Sequence, residues 1–159
     1  MNLLPYFEAM NDLAISAAIR ESLWMVAVIN TLHLLFLVMF AGAVLIVDLR
    51  LLGRGASEQP LSHVARDAQP WLVAALIGLT LTGVPQFLSN ALREYHSYLF
   101  WMKMAVLLVA LAYTFTIRRR ITLADETRVA PATRKAVALV SIALWTAVVV
   151  QARLIGLFT

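Results

Sequence analysis

The chain contains no cysteine, which excludes disulfides, iron–sulfur clusters and thiolate metal sites. Charge is scarce as well: Asp, Glu, Lys and Arg make up 14% of 159 residues, against about 25% in soluble domains. There is no Gly-rich loop to cradle phosphates, no histidine pair at metalloprotease spacing and no evident nucleophile–base pair. Internal repeats and low-complexity tracts are absent too, so residues 1–159 read as one integral membrane domain. Glu8 and Asp12 precede the first basic residue, Arg20, a pattern that argues against a cleavable signal peptide. The formal charge of +4 lies mostly at the edges of apolar runs. That placement speaks for membrane topology and against nucleic acid as a partner.

What fills the chain is apolar surface. Hydrophobic residues make up 62% of it, and the mean hydropathy is +0.82. A helix crosses a bilayer with about 20 apolar residues, and four stretches meet that need: 23–49, 71–92, 99–117 and 136–157. The expected fold is therefore all-α, a four-transmembrane-helix bundle. Residues 5–21 start with Pro5 and place Phe7, Met10, Ala14 and Ala17 at helical spacing, which predicts a short interfacial amphipathic helix. Gly53, Gly55, Pro60 and Pro70 punctuate the first loop, where Pro60 could start a turn carrying His63, Arg66 and Asp67. In the second helix Pro85 frees a carbonyl that Thr80 and Thr82 could satisfy.

Basic residues in short loops set orientation. Arg50, Arg54 and Arg66 flank the first loop, and Arg118, Arg119, Arg120, Arg128, Arg134 and Lys135 flank the third. Both loops are expected in the cytoplasm, with the N-terminus and C-terminus on the other side of a bacterial inner membrane. At about 1.5 Å per residue, His33, Gln86, Lys103 and Arg153 then fall roughly 22–27 Å above the cytoplasmic boundary. Asn30, Asn90, His96 and Gln151 lie near that level, so each helix contributes a polar group to one layer.

A titratable imidazole inside an apolar helix is costly and points to function. A neutral imidazole ligates haem iron, while Lys or Arg can pair with propionates at the wet edge of a membrane. The sharpest reading is a polar pocket near the outer face that holds a b-type haem for electron transfer. His33 is its metal ligand, and Asn30, Gln86, His96, Lys103 and Arg153 line the pocket. His96 is the candidate second ligand, provided its loop folds inward. Three other readings stay open: His33 as sole ligand, a haem-free site for a quinone or anionic ligand, and a non-catalytic accessory or assembly subunit. In that last case the polar residues only join helices. The lipid bilayer is the expected partner; a redox partner, another membrane subunit and a homo-oligomer are the others considered. Asp48, an acid at a helix C-terminus, opposes the helix dipole and needs a base from Arg50, Arg54 or the third loop. Phe36 is expected on another face from His33.

The residues SLW (22–24), His33-Leu34-Leu35, the small residues 41–43 and VDLRLLG (47–53) resemble a family of bacterial four-helix inner-membrane proteins of unknown function. Trp71, Thr82-Gly83, FWMKM (100–104), Trp145 and Arg153-Leu154-Ile155-Gly156 extend the resemblance over nearly the whole chain. More distantly, a helix-one histidine with Lys103 at the start of helix three is similar to b-type four-helix membrane cytochromes. It is also similar to the HemJ type of protoporphyrinogen oxidase and to copper-resistance D-type membrane proteins. That resemblance implies a haem or metal position at His33. The other three helices lack the mid-membrane histidines of a dihaem cytochrome, which leaves single-haem and haem-free forms.

The topology is directly testable. Reporter fusions at Ser57 and Thr127 are expected to report cytoplasm, and a fusion after Thr159 the opposite side.

Overall fold

Each long apolar run starts at a residue that can end the preceding turn. Ser22 accepts the Met25 N–H, and Ser97 accepts the Phe100 N–H, so each hydroxyl satisfies a backbone donor at a helix start. Pro60 precedes the second of the four long helices, and Pro131 opens the last. The computed structural model describes residues 3–54, 59–125 and 127–158, with side chains as far as Leu154. Its elements are α1 (Leu4–Asn11), α2 (Ala14–Glu21), α3 (Leu23–Leu51), α4 (Leu61–Ser89), α5 (Ala91–His96), α6 (Tyr98–Leu123) and α7 (Pro131–Phe158). Helices α3, α4, α6 and α7 are each long and apolar enough to cross a membrane. The protein is a multi-pass helical bundle, and the described residues contain no strand.

Several boundaries differ from the sequence expectation. Leu13, with ψ 138°, is extended and splits the amphipathic segment into α1 and α2. Helix α4 begins at Leu61 rather than near 71. Leu61, Val64 and Leu72, at helical spacing, are buried, with Ala65 and Ala68 packed beside them, so burial outweighs the Pro70 within the helix. Helix α6 continues past the three arginines to Leu123 through a π-helical turn at Thr114–Arg118, because Arg118 and Thr122 are buried instead of ending the helix in water. Residues 93–96, expected as loop, are helical and form α5 together with the last two residues of the expected second helix. The carbonyl left without the Pro85 N–H is that of Leu81. Thr80 and Thr82 donate instead to Leu76 O and Gly78 O, so they do not repair the proline site.

Two apolar clusters join the bundle. Phe40, Ala43 and Val44 of α3 meet Leu72 and Ala75 of α4, with Phe115 and Trp145 packed alongside. Toward the arginine-rich end, Val47 and Leu51 meet Leu61, Val64, Val137 and Ala138. At the opposite end α1 docks on α5. Phe7 is buried there, with ring centroids 5.5 Å from Phe87, 4.9 Å from Tyr95 and 6.1 Å from Trp101. This aromatic cluster ties the N-terminal helix to the bundle, where an interfacial helix alone would contact only lipid.

Close approach of α3 and α4 depends on Gly78. A Cβ at that position would overlap the Phe36 ring, whereas a Cβ at Gly42 would meet nothing within 4 Å. Phe36 therefore faces α4, as His33 does, and not a separate face; residues three apart share one side of a helix. Gly78→Val is expected to lower stability by about 1–3 kcal/mol through overpacking. Gly42→Ala should leave the melting temperature in detergent unchanged, and thermal melts of both variants provide the check.

Candidate functional site

Two polar clusters lie in the membrane-spanning helices, one toward each end. The first is centred on Asp48, which is fully buried. Its Oδ1 accepts from Arg118 Nε at 2.7 Å, and its Oδ2 accepts from Ser141 Oγ at 2.6 Å. Arg118, 5% exposed, also donates from Nη2 to Val44 O at 2.9 Å. Acid, base and hydroxyl come from α3, α6 and α7. The base that Asp48 needs is thus the first of the three arginines, at the end of the π-turn. A π-turn carries one extra residue, which rotates the downstream part of the helix by about 100° relative to an unbroken α-helix. At its first residue, Thr114 Oγ1 accepts from Trp145 Nε1 at 3.1 Å, and Trp145 lies edge-on to Phe40 with centroids 4.4 Å apart. Tyr113 adds a bond from its hydroxyl to Val137 O at 2.9 Å. Both carboxylate oxygens are satisfied, so this cluster has the character of a structural clamp.

The second cluster lies toward the α5 end. His33, half-buried, has Nδ1 2.8 Å from Thr82 Oγ1. The Thr82 hydroxyl has one hydrogen, and it donates that to Gly78 O at 2.7 Å. With that bond made, the hydroxyl oxygen accepts from His33 Nδ1; in the neutral ring this puts the proton on Nδ1 and a lone pair on Nε2. Gly83 lies under the ring: a Cβ there would be 3.4 Å from His33 Cε1. Helices α3 and α6 run parallel, and the Asp48–Arg118 pair fixes their offset at 70 residues. Counting back along both helices, with the extra residue of the π-turn, sets His33 within about one residue of the level of Lys103. The half-buried Lys103 ammonium acts electrostatically on both His33 and Glu94.

Polar atoms here lack the partners that the first cluster has. Gln86 Nε2, Glu94 Oε2 and Gln151 Oε1 are buried without a hydrogen-bond partner. Burial pushes the Glu94 carboxyl above its ordinary value, and the charges of Arg93 and Lys103 oppose that rise. The remaining candidates sit elsewhere on the helices. Asn30 and Arg153 are exposed. His96 is exposed on α5, with Nδ1 2.8 Å from Leu92 O and its ring edge-on to Tyr95. His63 is exposed in the first turn of α4, at the far end of the bundle. Among the described residues no group of three His, Cys, Asp or Glu side chains could hold a metal ion by itself.

A family of unknown function (DUF6644) matches residues 21–158. The chain belongs to this family. Neither a curated protein nor a solved structure matches it. The span matched by DUF6644 contains α3 to α7 with both polar clusters, and only the last residue of α2.

Sequence reasoning placed Asp48 in need of a base but did not single out Arg118, and it missed Ser141 and Glu94. The legible signals were a serine in the apolar run of α7 and an acid in the segment before α6. Removing one member of a buried pair strands the other, at a cost of about 3–5 kcal/mol. Asp48→Leu should accordingly lower the melting temperature sharply, and Asp48→Leu combined with Arg118→Met should recover most of the loss. Melts of the two variants in one detergent test this.

Proposed function

We propose that this protein binds a b-type haem through His33, near the α5 end of the bundle, and serves electron transfer. The observation that supports the reading is the Thr82 hydroxyl, whose own proton goes to Gly78 O. It holds His33 with Nδ1–H donated and the Nε2 lone pair available, the state in which imidazole ligates iron. Partners of this kind fix ring orientation at metal sites, and their loss typically costs 10–100-fold in affinity. Lys103, level with His33, would pair with a propionate. His96 also donates from Nδ1, to Leu92 O, but it is exposed on α5, so His33 is taken as the sole protein ligand. A bound haem would supply one-electron chemistry; the residues named would orient it and balance its charge.

A second reading is favoured by the partnerless polar atoms. Gln86 Nε2 is a donor, whereas Glu94 Oε2 and Gln151 Oε1 accept or, if protonated at Glu94, donate. A neutral ligand bearing both carbonyl and hydroxyl groups, such as a quinone–quinol pair, would satisfy this mixture without opposing Glu94.

Spectroscopy separates the two. Protein purified after expression with ample haem is expected to show a Soret band that His33→Ala abolishes and Thr82→Val weakens, with haem affinity reduced about 10–100-fold. Without a Soret band, binding of a short-chain quinone that Gln86→Leu weakens would support the second reading. Absence of both would leave the accessory-subunit account.

A further inference from the structure

We propose that a cavity at the arginine-rich end, between α3, α4 and α6, binds the headgroup of an anionic phospholipid. The cavity has a volume of about 200 Å³ and lies far along the helices from His33 and Lys103. Its walls combine two chemistries. Arg66, Arg118 and Arg119 supply cationic groups, Gln69, Thr114 and Thr122 supply hydrogen-bonding groups, and Ala43, Val47, Leu72 and Phe115 are apolar. Neither Asp nor Glu is among the described residues that line it. Arg118 is buried and its charge is balanced by Asp48, so the positive charge available to a ligand comes from Arg66 and Arg119, both exposed.

Two features favour a lipid over a soluble anion. The cavity lies where the apolar run of α6 gives way to Arg118, Arg119 and Arg120, which is headgroup depth for a spanning helix. Its apolar walls would contact a glycerol backbone and the first methylenes of an acyl chain, whereas a free phosphate would gain nothing from them. Basic pockets between spanning helices are suited to such headgroups. The proposal is independent of whatever occupies the α5 end.

The test uses the full chain in detergent micelles doped with phosphatidylglycerol or phosphatidylcholine. Phosphatidylglycerol is expected to raise the melting temperature above the phosphatidylcholine value, and inorganic phosphate alone is expected to have no effect. Arg66→Gln with Arg119→Gln should weaken phosphatidylglycerol binding roughly tenfold or more, at about one decade per 1.4 kcal/mol and about 1 kcal/mol per basic residue. Ala68→Phe, which fills the cavity while keeping every charge, should weaken it as well. Retention of binding in that variant would reveal diffuse surface attraction and overturn the proposal, as would equal stabilisation by free phosphate or no difference between the lipids. Should Ala68→Phe fail to fold, a headgroup-labelled photoreactive phosphatidylglycerol decides the point on the unsubstituted protein. Attachment within residues 65–72 or 114–123 supports the site, and attachment spread over the lipid-facing helices overturns it.

Discussion

A carboxylate with no exposure, inside a helix that crosses a membrane, constrains everything packed around it. Water cannot satisfy Asp48, so its two oxygens must find donors within the bundle, and they find Arg118 and Ser141. This requirement fixes the relative height of α3, α6 and α7 at one level. It also explains why α6 does not stop at its three arginines. The π-turn at Thr114–Arg118 delivers the first of them inward, and the exposed Arg119 and Arg120 remain at the surface. Apolar packing between α3 and α4 could tolerate small shifts; the Asp48 clamp cannot, because a shift would strand a charge in an apolar interior.

The two polar clusters differ in how completely they are satisfied, and that difference separates structure from candidate function. Around Asp48 every carboxylate oxygen has a donor, and the threonine, tryptophan and tyrosine nearby are also bonded. Toward α5, Gln86, Glu94 and Gln151 each hold a buried polar atom without a partner, while Lys103 sits level with His33. Leaving a buried donor or acceptor unmade costs about 1–3 kcal/mol, so several such atoms near one end favour a ligand or ordered water there. The aromatic contacts of Phe7 place α1 over this same end. A segment that sequence pattern assigns to the membrane surface is thereby joined to α5 and to the adjoining ends of α4 and α6.

Much of this was legible before any tertiary information. Four apolar runs of the right length gave four spanning helices, because helix formation in a bilayer is dictated by local backbone hydrogen bonding. His33 stood out as an ionisable group in an apolar run, and Lys103 was placed at its level by counting residues. The need of Asp48 for a base followed from its position at the C-terminal end of α3. Where the reading of the sequence departs from the structure, side-chain burial is the common reason. Pro70 did not stop α4, since the face carrying Leu61, Val64 and Leu72 is buried, and Phe36 proved to share the α4-facing side with His33.

The sequence by itself determined the class of molecule and the number of helices long and apolar enough to cross a membrane, since both depend on hydrophobicity and length along one chain. Only the tertiary structure decided which polar groups meet. Asp48 could have paired with Arg50 or Arg54, a few residues away; it pairs with Arg118, 70 residues on, because only that guanidinium is carried into the interior beside it. His33 could have faced lipid, α6 or α4; its bond to Thr82 follows from the close contact of α3 and α4 at Gly78 and Gly83. Rotation of each helix about its own axis set these pairings, and it depends on how the side chains of all four helices fit together.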